Sequence, residues 1–164
     1  MNKTEQNLQE AFAGESQANR KYLAFADQAE KEGKSQIAKL FRAAAAAETV
    51  HAHSHLRALK AVKNTKENLK EAITGESHEF KTMYPKMIEE AKEEGHKIAE
   101  RSFTYANAVE KVHADLYQNA LDNMEDIEEV DYYVCSVCGY TCEKEPPEKC
   151  PVCGASPTAF FKPE

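Results

Sequence analysis

Glu48 with His51 and Glu110 with His113 stand three residues apart, in stretches where apolar residues recur at helical spacing. Glu15 and Glu76 sit singly in stripes of the same kind. Residues i and i+3 share one face of a helix, so each Glu-x-x-His pair can aim both side chains at one point. A carboxylate on the apolar face of a helix costs free energy unless something pairs with it. Four carboxylates and two imidazoles meeting at one level of a bundle make a ligand set for two metal ions. Hard carboxylate oxygens with borderline imidazoles suit iron or manganese. Two bridging and two terminal carboxylates, with one His per ion, would leave an open position for an oxygen-derived substrate.

In a chain this rich in Glu and His, one Glu-x-x-His is expected about once by chance. A third instance, Glu93 and His96, flanks Gly95 and reads as a surface pair at a turn. The other two are set apart by their apolar faces and by the lone Glu on each remaining helix. Their separations also match: Glu15 to Glu48 spans 33 residues and Glu76 to Glu110 spans 34. Each half of the chain therefore reads as a helical hairpin built to the same plan. Glu79, three residues after Glu76, can reach the same site or be solvated. His53, His78 and His96 read as exposed, and His55 as a hydrogen-bonded core residue. Tyr22 and Tyr84 are core aromatics able to hydrogen-bond a ligand carboxylate.

A second metal signature lies near the end of the chain, in Cys135-x-x-Cys138-Gly139 and Cys150-x-x-Cys153-Gly154. Two such turns make a tetrahedral thiolate site for zinc or a single iron. Zinc would make it a structural ribbon and iron a one-electron carrier. Iron is favoured behind a di-iron bundle, which needs an electron source. Cys142 stands outside the pairs as a free thiol.

The elements that must position these residues follow from periodicity. A first helix is expected over about Thr4 to Glu32, stopped by Gly33. A second runs from about Ser35 to Val62; its alanine run, Ala43 to Ala47, lets a neighbour come close. A third, N-capped by Thr65, reaches about Glu94, and Pro85 inside it predicts a kink or local break. A fourth covers about His96 to Asp126. The fold class is mainly α, with a four-helix bundle over 1–126, an acidic linker over 127–131 and a metal-nucleated module over 132–164.

At 164 residues the chain allows one sizeable domain, or one plus a small module. Its net charge of −7, with no basic block, argues against nucleic acid or an anionic membrane as partner. No stretch approaches the ~20 apolar residues of a membrane span, and the first residues lack a signal-peptide core. All five cysteines fall between positions 135 and 153, which suits metal binding rather than a secreted disulfide framework. These features point to the cytoplasm.

Taken in order, the segments Ala11-Phe12-Ala13-Gly14-Glu15-Ser16, Ala47-Glu48-Thr49-Val50-His51-Ala52, Gly75-Glu76-Ser77-His78-Glu79 and Glu110-Lys111-Val112-His113-Ala114, followed by both cysteine turns, resemble the rubrerythrins. These are ferritin-like di-iron bundles fused to a C-terminal rubredoxin-like domain. The resemblance spans essentially the whole chain. It implies that Glu79 is a further ligand, with one iron moving between Glu79 and His51 as the redox state changes. It also implies that Tyr22 and Tyr84 hydrogen-bond ligand carboxylates. The activity it implies is reduction of hydrogen peroxide to water in oxidative-stress defence. Electrons would come from an external NAD(P)H-linked reductase or a rubredoxin, through the four-cysteine iron. The rival expectations are a ferroxidase or iron-handling protein and a structural zinc-ribbon interaction protein.

A ferritin-like bundle runs its second and third helices parallel, joined by a long crossover. With the expected boundaries the crossover must cover roughly 36 Å, whereas residues 63–65 span about 14 Å at most. The expectation is a helix-swapped homodimer: Glu15, Glu48 and His51 of one chain join Glu76, Glu79, Glu110 and His113 of the other. An up-down-up-down bundle, or a later start to the third helix, would avoid the swap.

Overall fold

The computed structural model describes residues 2–163; Met1 and Glu164, the ends of the two expected domains, lie outside it. The chain divides into two compact units, Met1–Lys63 and Asn64–Glu164.

The first unit is a helical hairpin of α1 (Lys3–Lys31) and α2 (Ser35–Ala58). Asn2 caps α1 by accepting from the Glu5 backbone N–H, while the Glu5 carboxylate accepts from the Asn2 N–H. At the other end Gly33 adopts φ +73°. The Gly33 N–H then reaches the Glu30 carbonyl and the Lys34 N–H the Ala29 carbonyl, which closes the helix. Small residues allow the two helices to approach: Ala26, Ala29 and Ala38 are buried together under Phe41. The buried Asn19 donates its amide to the Ala45 carbonyl at 2.7 Å and to Thr49 Oγ1 at 2.9 Å, tying the hairpin at the level just past Glu15.

α2 ends at Ala58, not at Val62 as periodicity suggests. Lys60 takes φ +53°, and its N–H bonds the Arg57 carbonyl while the Ala61 N–H bonds that of Leu56. This is the same closure that Gly33 makes, formed here by a lysine. Without glycine the sequence carries no stop signal there.

The second unit begins with α3 (Thr65–His78), a π-helical turn (Glu79–Met83) and α4 (Tyr84–Glu93). Asn64, rather than Thr65, is the N-cap: its side chain accepts from the Glu67 N–H at 3.0 Å. The expected kink or local break takes the form of a change of helical register. Pro85 has no N–H to give, and its ring would strike the carbonyl four residues back. Widening the preceding turn to i→i+5 bonding lets the helix continue through it.

Gly95 (φ +70°) ends α4, and α5 (Lys97–Asp122) returns along α3 and α4. His96 is its N-cap, accepting from the Ala99 N–H at 3.2 Å, so the Glu93–His96 pair does flank a turn. α5 stops four residues before the expected Asp126, where Asn123 caps it and turns its amide back to the Asn119 carbonyl. Residues 127–131 form neither helix nor strand. A small antiparallel sheet follows, of β1 (Tyr132–Cys135), β2 (Thr141–Glu143) and β3 (Phe160–Phe161), in the order β2-β1-β3. β1 pairs Val134 with Thr141 on one side and with Phe161 on the other. No helix among the described residues is long and apolar enough to cross a membrane.

Candidate metal centres

Each unit brings together three side chains of the kind expected to bind metal. In the hairpin of α1 and α2, donor atoms of Glu15, Glu48 and His51 lie within 4.8 Å of one another. His51 Nδ1 is 2.8 Å from Glu48 Oε2 and 4.0 Å from Glu15 Oε1. In the second unit Glu76, Glu110 and His113 do the same. His113 Nδ1 is 2.8 Å from Glu110 Oε2 and 4.0 Å from Glu76 Oε1. The sequence symmetry between the halves is thus a symmetry of geometry. Bonds of about 2.1 Å to one ion put neighbouring donors ~3 Å apart and opposite donors ~4 Å apart. Both triads therefore fit around a metal ion.

The two triads differ in enclosure. The His51 side chain is 56% exposed and that of His113 28%. Burial, and then the neighbouring Glu110 carboxylate, push the Glu76 carboxyl above its usual range; His113 pulls the other way. A cation placed among these groups would relieve that repulsion.

Glu79 opens the π turn, half-buried, and is not among the three clustered donors. Its charge still acts on Glu76 and Tyr84. The Tyr84 phenol is raised first by burial and then by Glu79, Glu110 and Glu76, so it keeps its proton and faces three carboxylates. Its ring packs against Phe103 at 6.2 Å. Tyr22 lies in an aromatic group with Phe25 and Phe41. His53, His78 and His96 are exposed, and His55 is half-buried.

The four cysteines meet as expected. Cys135 Sγ is 3.7 Å from Cys153 Sγ, and Cys138 Sγ is 3.5 Å from Cys150 Sγ. Four sulfurs at ~2.3 Å around a tetrahedral ion would stand about 3.8 Å apart. The two turns are built alike: the Gly139 N–H bonds the Cys135 carbonyl and the Gly154 N–H that of Cys150, with both glycines at positive φ. Burial raises the Cys150 thiol, but N–H groups of Cys153 and Val152 and the thiols of Cys138 and Cys153 outweigh it, bringing it down to about 7. Burial raises Cys138 strongly. The backbone N–H groups around Cys150 thus favour the thiolate form that binds metal. Cys142 stays apart, with its sulfur turned to the carbonyls of Tyr133 and Glu145.

One contact had no signal in the sequence. His113 Nε2 lies 3.0 Å from Thr141 Oγ1 on β2, 28 residues away along the chain. Thr141 Oγ1 also lies 3.1 Å from the Gly139 carbonyl, to which it donates. Nearby, a Cβ built on Gly139 would touch Val109 of α5 at 3.7 Å. The cysteine module of this unit thus rests on the helix that carries Glu110 and His113.

A mainly helical protein with carboxylate–imidazole triads on antiparallel helices, followed by a four-thiolate module, is a ferritin-like metalloprotein of the di-iron class with a rubredoxin-like centre. Comparison with known proteins agrees. The family model described as Rubrerythrin matches residues 6–121, and that of the rubrerythrin rubredoxin-like domain matches 133–161. Rubrerythrin-2 of Clostridium acetobutylicum is 38% identical, covering 93% of this chain and 92% of its own. Nigerythrin of Nitratidesulfovibrio vulgaris is 37% identical, covering 92% and 81%. A solved structure of nigerythrin in its fully reduced, all-ferrous state superposes with a TM-score of 0.60 at 34% identity, covering 99% of this chain and 87% of that one. The chain belongs to the rubrerythrin family.

Proposed function

We propose that this protein reduces hydrogen peroxide to water in defence against oxidative stress, taking electrons through its four-cysteine centre. One observation supports the reading: the cysteine module is seated on α5 beside His113, so a one-electron centre there would adjoin a candidate ligand of the redox site. Storage or scaffolding needs no such inlet.

Glu15, Glu48, His51, Glu76, Glu79, Glu110 and His113 would hold two irons, and Cys135, Cys138, Cys150 and Cys153 a third. When bound in ferrous form, the iron pair supplies the two electrons that, with two protons, convert hydrogen peroxide to two waters. The carboxylates would balance the cationic charge of the pair. Glu79, on the π turn, would add a further carboxylate to the set. Tyr84, kept protonated, donates toward the carboxylates, and Tyr22 serves the first hairpin in the same way. An external NAD(P)H-linked reductase or rubredoxin would reload the thiolate centre, one electron at a time, in the cytoplasm. The functional division proposed is a bundle over 1–126, a linker over 127–131 and the electron-transfer module over 132–164.

Each unit by itself carries two carboxylates and one His of the clustered set, half of a dinuclear site. The protein is proposed to complete it as a helix-swapped homodimer, with α1 and α2 of one chain joining α3 to α5 of the other. The connector between Ala58 and Thr65 is too short for a ferritin-like crossover.

The reading is tested by reducing the iron-loaded protein without oxygen, adding one equivalent of hydrogen peroxide per di-iron site and following the visible spectrum. Rapid growth of both ferric carboxylate and red ferric-thiolate bands is expected. A protein that ignores peroxide but oxidises added ferrous iron with dioxygen is a ferroxidase. A colourless one with zinc at the cysteines is a structural ribbon.

A further inference from the structure

We propose that Thr141 is a positioning residue for His113, holding its imidazole in the tautomer that leaves Nδ1 free for a metal ion. The inference rests on the reading of His113 as a ligand and adds a side chain from outside the helices to its support.

A neutral imidazole carries one N–H and one lone pair, and the bond made by one nitrogen decides what the other can do. Thr141 has a single hydroxyl proton; given to the Gly139 carbonyl at 3.1 Å, it leaves the oxygen free to accept. Toward His113 Nε2, at 3.0 Å, the hydroxyl oxygen can then accept, an arrangement that places the imidazole hydrogen on Nε2. Nδ1 is then left with its lone pair pointing among Glu110 Oε2 at 2.8 Å and Glu76 Oε1 at 4.0 Å. A lone pair facing carboxylate oxygens is repulsive unless a cation lies between them. Thr141 thus prepares His113 for the ion and against the metal-free alternative, in which Nδ1 would donate to Glu110.

The first hairpin makes the contrast. His51 repeats the distances of 2.8 and 4.0 Å to its own carboxylates. Its side chain is twice as exposed as that of His113, and no strand module belongs to its unit. Among the described residues a strand hydroxyl stands against His113 Nε2, and none stands against His51. That contact is also an anchor for the cysteine module, because Gly139 follows the ligand Cys138 directly in the chain. One hydrogen-bonded chain, Gly139 carbonyl to Thr141 hydroxyl to His113 Nε2, therefore links the thiolate turn to the carboxylate site.

The test uses the full chain loaded with zinc, which is diamagnetic, and long-range nitrogen–proton correlation of its imidazoles. In the wild type, His113 is expected to show a protonated Nε2 with a slowly exchanging N–H, and a metal-bound Nδ1. Thr141→Val should lose the protected N–H and weaken zinc at the Glu/His site by about 10–100-fold. Thr141→Ser should restore both. The visible spectrum of the iron-loaded cysteine centre reports whether the module stays folded in each variant. A wild-type His113 protonated on Nδ1 overturns the proposal without any variant, and so does a folded Thr141→Val protein with unchanged signal and affinity. If Thr141→Val does not fold, the wild-type tautomer and the Ser variant decide. Failure of the wild type to bind zinc at the Glu/His site would instead overturn the ligand assignment itself.

Discussion

Two lesions placed on different chains separate a swapped bundle from a self-contained one. The structural case is a matter of reach. α2 runs ten residues beyond Glu48 to Ala58, about 15 Å of helix. α3 starts at Thr65, eleven residues before Glu76, about 16 Å. Parallel helices with both carboxylates at one level therefore need a crossover of ~31 Å before any sideways displacement. The seven Cα steps from Ala58 to Thr65 cover ~25 Å at full stretch. The shorter α2 has narrowed the deficit without removing it. Now pair a Glu48→Ala chain with a Glu110→Ala chain carrying a different affinity tag. Either homodimer lacks one carboxylate in both sites. A swapped heterodimer collects both lesions in one site and leaves the other whole. The doubly tagged species should then hold about half the wild-type bundle iron and show about half its peroxide turnover. An unsorted equal mixture, with half its dimers mixed, should show about a quarter. Iron content and turnover are read on the same preparation. A purified heterodimer no better than either homodimer refutes the swap and favours an up-down-up-down arrangement within one chain.

Three further outcomes are expected. In metal-free protein, Glu76 has a raised pKa, so the folded state holds its proton more tightly than the unfolded chain; stability is lost as pH rises from the ordinary value of 4.5 through the raised one. Glu76→Gln should therefore gain in urea midpoint over wild type as pH rises through that window, gain little below it, and lose the advantage once metal is added. Cys142→Ser should leave the ferric-thiolate spectrum unchanged and shift stability by less than about 1 kcal/mol, since the sulfur makes only weak contacts with two carbonyls; a changed spectrum would make it a ligand. Ala38 is fully buried beside Ala26 and Ala29, so Ala38→Leu should overpack the first hairpin and cost roughly 1–3 kcal/mol in chemical denaturation.

The candidate ligand set was legible in the sequence because its arrangement within each helix is local. Glu and His three residues apart share a face whatever the tertiary fold, and Cys-x-x-Cys-Gly closes its own turn through the N–H bonds of Gly139 and Gly154. The helix ends at Gly33 and Gly95 were legible for the same reason. The stop at Lys60 was not, because a lysine enters the left-handed region only where the capping bonds of its neighbours hold it there. Pro85 announced a disturbance, but whether it became a break or a π turn depended on α3 and α4 both packing along α5. The bond between His113 and Thr141 joins a helix to a strand across 28 residues, and nothing in the spacing of either element foretells it. Sequence determined which atoms can bind metal and on which helix faces they stand. Tertiary structure decided which imidazole meets a strand residue, because that depends on how β2 packs against α5 within the second unit.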